Sequence, residues 1–524
     1  MWLHVIVALL LATSDVTLAK FRLEAGAYLK LPGADGCFAF NNGAADKATY
    51  DPQENLLYVI GHNQDVLHVV SLANPAAPQL LSTKVFNVAT DGLPDSIKVD
   101  SFDPKAMSWN NECSTLMVVS EGDPHEINGV FEDPEADITL LIPSFGDTVD
   151  KTAQDLIDAD IRQVFERCDS GSGSHVSSRV QDLEPKAVHL ASNNVGYIIF
   201  QENNAIAALN LTVGANRELL FFNMNRKDFS ISLKTRPGVQ GLYQPNDMTS
   251  FEMNGKMYLV TADQGSIRRY QFGTCQFDES VDGVTWISEN QFSNGLSSAD
   301  QEALRTAMND PAELGRLRFS KLRKATDGWN GFYGAYDFVT VFGGRSFSIV
   351  DVDARQRIYN SGDDFERYFE TASDRHKSMY NAGVGPENVA QSSWQDRESP
   401  ELGPAPSAIA VADWGGTKLV VIANGNVGGL YLYNVTSELT AGVQVAFEQY
   451  VRRGNSGQSW AEAYGNPPCI SSQGPRIDND IDDAAVGEPG ISDLLYIEDN
   501  GVRMFVAVSR IAGSLSFYNL VQDT

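Results

Sequence analysis

The sequence predicts an all-β fold, a seven-bladed β-propeller of four-stranded blades with helical and loop insertions between the blades. Two observations lead to this prediction. Apolar runs of four to six residues, bounded by Gly, Asn and Pro, are spread along the chain, and such runs are typical of strands and too short for helices. The same order of runs recurs seven times, and recurrence of one β-unit is the signature of a repeat fold.

One unit shows the pattern most plainly. Its first strand begins at Pro185, its second strand is Tyr197–Phe200 and its third is Ala205–Leu209. The polar corner Gln201–Asn204 joins the second strand to the third. A single unit of this kind has no closed core, so it must pack against neighbouring units.

All seven units contain such a corner. The corners are Gly61–Asp65, Glu121–Pro124, Gln201–Asn204, Asp263–Ser266, Gly343–Arg345, Asn424–Gly429 and Ser509–Gly513. The unit at Tyr336–Val350 lacks an opening proline. With a fourth strand each, the units make propeller blades, in which radial repetition leaves only short, protected edges.

The first nineteen residues are predicted to be a secretory signal peptide. Val5–Ala12 is an apolar core of suitable length, and Thr17–Ala19 offers small residues for cleavage before Lys20. Residues 20–524 are predicted to form one propeller domain, because each blade packs only on its neighbours and the fold can exceed the size of a single core. No other run reaches the ~20 apolar residues that a transmembrane helix needs.

The composition narrows the class of partner. Hydrophobic residues make up 43% of the chain, which excludes general disorder. The formal net charge of −29 indicates a soluble surface that attracts cations. No basic patch with interleaved aromatic residues occurs, so nucleic acid is not an expected partner.

The cysteines and sequons fit an extracellular chain. The five cysteines are Cys37, Cys113, Cys168, Cys275 and Cys469, with no Cys-x-x-Cys pair to indicate zinc. Cys37 and Cys469 are the preferred disulfide, because a closed propeller brings the two chain ends together; the alternative is that all five are buried thiols. Asn210 and Asn434 begin Asn-x-Thr sequons and are predicted to carry glycans.

Enzymatic motifs are sparse. No Gly-x-Ser-x-Gly elbow is present, and the seven histidines are too dispersed to indicate a zinc cluster. Asp95 beside Ser96, and Asp247 near Thr249, place an acid next to a hydroxyl without a visible third partner. We therefore expect a protein that binds and does not catalyse.

The acidic corners are the candidate metal site. Corners between second and third strands project from one face of a propeller, so their oxygens should gather around one rim. The predicted Ca²⁺ ligands are Glu121, Asp123, Glu202, Asn203 and Asp263, since hard cations take carboxylate and amide oxygens. The alternative is ordinary turn chemistry, because Asn, Asp and Gly tolerate the positive φ that β-corners need.

Several blocks of sequence resemble a known family. The blocks are Leu183–Pro185 with Gln201–Ala207, Glu121–Pro124 with Asp133–Glu135, Tyr243–Asn246 with Tyr258–Asp263, and Gly343–Ile349 with Ser361–Glu366. They resemble the choice-of-anchor I family, which includes mesenchyme-specific cell-surface glycoproteins of skeleton-forming cells and bacterial members sometimes labelled alkaline phosphatase. Gln264 and Ser266 stand where that family tends to have Glu and Asp.

Together these observations predict a secreted, acidic extracellular glycoprotein that acts as a non-enzymatic binding propeller. The resemblance implies an association with biomineralisation, with Ca²⁺, a mineral surface or extracellular matrix as the partner. Two alternatives remain open. One is a Ca²⁺-dependent, alkaline-phosphatase-like phosphoesterase, and the other is a metal-free platform for protein interaction.

Overall fold

Strands dominate the protein. The computed structural model describes residues 20–36, 41, 43–86, 104–109, 115–120, 125–127, 130–132, 135–142, 145–148, 160–164, 167–170, 173–211, 219–224, 226–231, 234–272, 275–372, 374–385, 389–438, 442–454, 457–459 and 487–523. Within these residues the few helices are short, so the all-β prediction is confirmed. No helix in these ranges is long and apolar enough to cross a membrane.

The strands run almost the whole length of the described chain, and the short helices fall in its second half. The first strands are β1 (Phe21–Lys30), β2 (Lys47–Asp51), β3 (Leu56–Gly61), β4 (Val66–Ser71), β5 (Gln79–Val85), β6 (Pro104–Trp109), β7 (Leu116–Ser120), β8 (His125–Ile127), β9 (Val130–Glu132), β10 (Asp137–Ile142), β11 (Phe145–Thr148), β12 (Arg167–Ser170), β13 (Gly173–Val176), β14 (Pro185–Leu190), β15 (Val195–Phe200), β16 (Ala205–Asn210), β17 (Leu219–Asn223), β18 (Arg226–Ile231) and β19 (Lys234–Leu242). The remaining strands are β20 (Asp247–Met253), β21 (Lys256–Asp263), β22 (Arg269–Phe272), β23 (Cys275–Asp278), β24 (Ser280–Asp282), β25 (Arg318–Ser320), β26 (Trp329–Asn330), β27 (Ala335–Tyr336), β28 (Val339–Val341), β29 (Ser346–Asp351), β30 (Gln356–Asn360), β31 (Pro406–Trp414), β32 (Thr417–Asn424), β33 (Leu430–Glu438), β34 (Gly442–Val451), β35 (Ile491–Asp499), β36 (Val502–Ser509) and β37 (Ser514–Gln522). The helices are α1 (Gly283–Glu289), α2 (Ser298–Asn309), α3 (Asp364–Thr371) and α4 (Asp374–Lys377).

Among the described residues, six four-stranded antiparallel sheets form the body of the protein, and we number them in chain order. Their strand orders are β2-β3-β4-β5 (sheet 1), β6-β7-β10-β11 (sheet 2), β14-β15-β16-β17 (sheet 3), β20-β21-β29-β30 (sheet 4), β31-β32-β33-β34 (sheet 5) and β35-β36-β37-β1 (sheet 6). In sheet 6 the N-terminal strand β1 pairs with β37, from Phe21 opposite Gln522 to Lys30 opposite Ser514. This pairing joins the two ends of the described chain.

The sheets follow one another as propeller blades do. The first strands contact their neighbours in the series β6, β14, β20, β31, β35 and β2. Hydrophobic clusters fill the five junctions of this series; between sheets 4 and 5, for example, Val260 and Ile349 share a cluster with Val420 and Ile422. The junction between sheets 1 and 2, which would close the ring, is not established by the described residues.

The count of seven blades is not confirmed, because the predicted unit at Tyr336–Val350 builds no sheet of its own. Its strand β29 is the third strand of sheet 4, where it pairs with β21 so that Ser346 lies opposite Asp263. The segment after the corner Asp263–Ser266, where the repeated pattern predicts a third strand, instead contributes to a hairpin, β22 with β23. An insertion of residues 264–345 thus separates two strands that pair directly, and it made one sheet look like two units.

The insertion has a core of its own. Its strands β24, β25 and β28 join β18 and β19 in a five-stranded sheet, against which α1 and α2 pack. Trp286 is fully buried in this core, and its indole N–H donates to the Ser320 carbonyl at 3.0 Å. The helix α2 begins at Ser298, and the Ser297 hydroxyl caps it by accepting from the Asp300 N–H at 3.2 Å.

Candidate functional site

The corners of sheets 3 and 4 meet on one side of the protein, which we call the corner face. The Gln201 side chain donates to the Gly265 carbonyl at 3.2 Å, and the Ser266 hydroxyl donates to the Glu202 carboxylate at 2.8 Å. Asn246, at the start of sheet 4, donates to the Ser407 carbonyl of sheet 5 at 2.7 Å. The corner face therefore continues from sheet 3 to sheet 5, as the propeller prediction requires.

Arg268 is a buried cation behind this face. Its guanidinium is 3% exposed and forms ion pairs with Asp182 at 2.8 Å, Glu184 at 3.1 Å and, through Nε, Glu202. Asp182 and Glu184 precede sheet 3, whereas Arg268 belongs to the insertion. These bonds tie the insertion to sheet 3.

Arg162 is another buried cation behind this face, and it is 1% exposed. It pairs with Glu279 at 2.6 Å and Asp327 at 2.9 Å, both from the insertion. It also donates to the main-chain carbonyl of Glu202 at 2.9 Å, and the Phe342 ring lies 5.8 Å from the guanidinium carbon. The segment before sheet 3, the corner of sheet 3 and the insertion therefore share one charged network.

The network holds more carboxylates than guanidinium groups, and this excess shapes their titration. Burial raises the pKa of Glu279 to about 7, although Arg162 opposes the rise; the charge of Glu202 adds to it. At Glu202, burial favours the neutral acid, but the charge and hydrogen bonds of Arg268 outweigh it and lower the pKa to about 2. Every carboxylate in the network faces an arginine, so we interpret it as a clamp that positions the corner face.

A polar pocket of about 440 Å³ opens on the corner face beside this clamp. It is lined by Lys186, Gln201, Asn246, Gln264, Gly265, Ser266, Ile267, Arg269, Glu398, Glu401 and Leu402. Arg269 and Glu401 pair with each other at 3.1 Å across its wall. The lining combines two cations, two carboxylates and three carboxamides, so it is nearly balanced in charge.

Three groups in the pocket are not used by the protein itself. Within the part of the chain that the structure describes, the Lys186 ammonium, the Gln264 carboxamide and the Glu398 carboxylate form no hydrogen bond or ion pair with another side chain. Burial, and next the charge of Glu401, raise the pKa of Glu398. Lys186, Gln264 and Glu398 are half-buried, so the pocket presents their donors and acceptors to solvent and to a ligand.

The corner residues predicted as Ca²⁺ ligands have partners from the protein. Glu202 faces Arg268, as described above. Asn203 is fully buried, and its amide donates to the carbonyls of Arg162 at 3.1 Å and Asp182 at 2.9 Å. Asn204, at the end of the same corner, has a φ of 53°, which matches the turn-chemistry alternative.

Asp263 is also buried, and its carboxylate is hydrogen-bonded to the protein. Its carboxylate accepts from the hydroxyls of Thr261 at 2.7 Å and Ser348 at 2.6 Å. Among the residues that the structure describes, no group of three or more His, Cys, Asp or Glu side chains is placed to hold a metal ion. Glu202, Asn203 and Asp263 thus already have partners within the protein, and Ca²⁺ binding by them stays a prediction.

Four other predicted residues lie outside the described residues. These are Glu121 and Asp123, which complete the predicted Ca²⁺ set, and Cys37 and Cys469, the predicted disulfide. Both predictions stay untested.

The two predicted glycosylation sites differ in exposure. Asn210 is exposed at the end of β16. Asn434 is only 2% exposed, and its amide donates to the Glu448 carboxylate at 3.3 Å. A glycan needs a solvent-facing amide nitrogen, so the fold favours modification at Asn210.

Sequence reasoning missed the residues that define this site. Arg162, Arg268, Lys186 and Glu398 lie in unrelated stretches of chain and follow no motif. One signal was present: Gln264 and Ser266, noted as departures from the acidic pattern of similar sequences, both line the pocket. At these two positions the pocket carries neutral side chains where similar sequences tend to carry carboxylates.

Comparison with known proteins relates the chain to one family. The family model of the choice-of-anchor I domain matches residues 97–438. A relative, Gigasin-3a from Magallana gigas, is 25% identical over 225 residues, which is 43% of this chain and 68% of that protein.

Solved structures give weaker likenesses. Virginiamycin B lyase from Staphylococcus aureus is 8% identical with a TM-score of 0.35, over 96% of this chain and 100% of that one. Hydrazine synthase from Kuenenia stuttgartiensis is 9% identical with a TM-score of 0.30, over 92% and 96%. At these scores the structural likenesses carry no argument about function. The family match covers most of the sequence, and the chain belongs to the choice-of-anchor I domain family.

Proposed function

We propose that this chain is an extracellular, non-catalytic binding protein that holds a hydroxyl-rich ligand of the saccharide class in the corner-face pocket. Membership of the choice-of-anchor I family suggests a cell-surface or extracellular protein. Secretion through the signal peptide and glycosylation at Asn210 are part of the same proposal.

The unused polar groups of the pocket carry this proposal. A ligand that replaces water at these half-buried donors and acceptors forms hydrogen bonds worth about 0.5–3 kcal/mol each, with the charged groups at the upper end. Lys186 and Gln264 donate, and Gln264 and Glu398 accept. The lining is nearly balanced in charge, so it offers no net attraction to a strongly charged ligand. Hydroxyl groups, in contrast, can donate to or accept from each of these side chains.

The described residues that line the pocket offer no activated hydroxyl nucleophile. Of the described residues that line it, only Ser266 carries a hydroxyl, and that hydroxyl donates to Glu202. A general base works best with a pKa near the operating pH, whereas the pKa of Glu202 is about 2. These observations favour binding over the phosphoesterase alternative.

Isothermal titration calorimetry with chitotriose, cellotriose and maltotriose tests the proposal. We expect at least one of these sugars to bind. Lys186→Ala or Gln264→Ala should weaken that binding about tenfold, because each variant loses one hydrogen bond to the ligand. Lys84→Ala removes an exposed lysine on sheet 1 and serves as the matched control.

Two results would overturn this function. One is that none of the three sugars binds, or that Lys186→Ala and Lys84→Ala bind equally well. The other is turnover of p-nitrophenyl phosphate by the purified protein, with or without Ca²⁺, that Lys186→Ala abolishes.

We also propose that the six sheets close into one ring. The pairing of β1 with β37 and the five filled junctions support closure. An experimental structure in which sheets 1 and 2 do not contact each other would contradict it. Binding of Ca²⁺ or mineral through Glu121 and Asp123 stays a prediction, which calorimetric titration with Ca²⁺ tests.

A further inference from the structure

A hairpin of the insertion, β26 and β27, displays two aromatic side chains at its tip. Phe332 is 89% exposed and Tyr333 is 56% exposed, and their rings form an edge-to-face pair with centroids 4.9 Å apart. Phe332 is the most exposed large hydrophobic side chain among the residues that the structure describes. Exposed apolar side chains that contact each other at a tip indicate an interaction site more often than scattered ones do.

The tip is held in place and does not depend on its aromatic residues for its shape. The Asn330 side-chain oxygen accepts from the N–H groups of Phe332 at 3.1 Å and Tyr333 at 3.4 Å. The Asn330 amide in turn donates to Asp337 at 3.0 Å, and the Asn330 carbonyl accepts from the Gly334 N–H at 2.9 Å. The backbone therefore presents both rings to solvent in a fixed arrangement.

Basic residues surround the base of this hairpin. Arg323 is exposed and lies over the Trp329 ring, 5.1 Å from its centroid. Lys321 is exposed, and its carbonyl lies 3.4 Å from the Tyr336 hydroxyl of the hairpin. Neither Lys321 nor Arg323 forms an ion pair with any residue in the described ranges. In a chain of net charge −29, two such cations beside an aromatic tip form a local exception.

We propose that this hairpin docks on the surface of a lipid bilayer with anionic headgroups. Aromatic side chains settle at the membrane interface, because their rings are apolar while Tyr keeps its hydroxyl in the headgroup layer. Lys and Arg near the surface attract anionic lipids. A protein partner fits less well, because a two-residue tip is far smaller than the ~1,000 Å² that a stable protein interface buries.

The acidity of the whole chain does not prevent this contact. At physiological ionic strength, charges more than ~8 Å apart are largely screened, so only the groups nearest the headgroups act on them. Lys321 and Arg323 are exposed at the base of the hairpin, so we expect them to act on the headgroups when the tip enters the interface. High salt should therefore weaken the electrostatic contribution of Lys321 and Arg323 to membrane binding and leave the contribution of the aromatic side chains unchanged.

Vesicle co-sedimentation tests the proposal with phosphatidylcholine alone and with phosphatidylcholine mixed with phosphatidylserine. We expect the full chain to bind the mixed vesicles more tightly. Phe332→Ser should lower the partition coefficient about tenfold or more, because the variant no longer buries an aromatic side chain in the bilayer interface. Lys321→Gln and Arg323→Gln should each lower it about fivefold on mixed vesicles only.

Leu81→Ser, which removes an exposed side chain of sheet 1, is the matched control and should bind like the unmodified chain. An unchanged melting temperature of Phe332→Ser establishes that the variant folds. Equal binding by Phe332→Ser and Leu81→Ser, equal binding to both vesicle types, or no binding to either would overturn the proposal. So would dimer formation that Phe332→Ser abolishes in the absence of vesicles.

Discussion

The clamp behind the corner face predicts a large energetic effect at one residue. Arg162→Met keeps most of the side-chain volume but removes the charge that faces Glu279 and Asp327. Both carboxylates are fully buried. Removing one partner of a buried ion pair typically destabilises a protein by about 3–5 kcal/mol, because the other charge stays buried without compensation.

The structure sets where in this range the loss should fall. Arg162 also donates to the Glu202 carbonyl, so the variant loses a third acceptor. Against this, Glu279 can take up a proton once Arg162 is gone, since burial already raises its pKa to about 7. We therefore expect a loss near the lower end, about 3 kcal/mol.

Urea unfolding measures this loss as a shift of the midpoint at constant slope. Arg367→Met is the matched control, because Arg367 is 55% exposed and pairs with Asp363 one helical turn away. Exposed pairs of this kind contribute little to stability, because both charges stay hydrated and are screened by salt. A loss below about 1 kcal/mol for Arg162→Met would refute the reasoning that the network is a buried clamp.

Two further predictions concern titration and modification. Folding raises the pKa of Glu279 from 4.5 to about 7. Protonation of Glu279 therefore stabilises the folded state relative to the unfolded state. That stability, about 3 kcal/mol at 1.36 kcal/mol per pKa unit, is fully present below pH 4.5 and is lost as the pH rises through 7. Glu279→Gln should flatten this decline in urea midpoints measured from acid to neutral pH, and an identical slope in both proteins would contradict it. Glycopeptide mass spectrometry of secreted protein should find a glycan on Asn210 and none on Asn434, and the reverse would show that exposure does not decide the site.

Local strand patterns were the part of the fold that the sequence could predict. Pro185 does begin β14, and the corner Gln201–Asn204 does join β15 to β16. Period and turn chemistry act over a few residues, so they are visible in any short window. The same reasoning identified sheets 5 and 6 from their corners at Asn424 and Ser509.

Pairings across long stretches of chain were beyond such patterns. Asp263 and Ser346 lie opposite each other although an insertion with its own helices separates them. The β1 strand completes a sheet whose other strands come last in the chain. Neither pairing has a local signal, because its partner strand is chosen by packing in the folded protein.

The candidate site shows the same division. Gln201–Asn204 was predicted correctly as a corner, but its Glu202 carboxylate was interpreted as an oxygen donor free to bind Ca²⁺. Arg268, from the insertion, forms an ion pair with the Glu202 carboxylate. Arg162, from the segment before sheet 3, donates to the Glu202 main-chain carbonyl. Sequence alone shows which side chains are acidic, and only the fold shows which of them already have a cation.

Amine footprinting tests the central claim, ligand binding in the corner-face pocket, most directly. The purified protein is acetylated with and without the oligosaccharide that binds it, and labelling of each lysine is measured by mass spectrometry. We expect Lys186 to react in the free protein and to be protected by the ligand, while Lys84 on sheet 1 reacts equally in both. Equal labelling of Lys186 with and without bound ligand would contradict the claim.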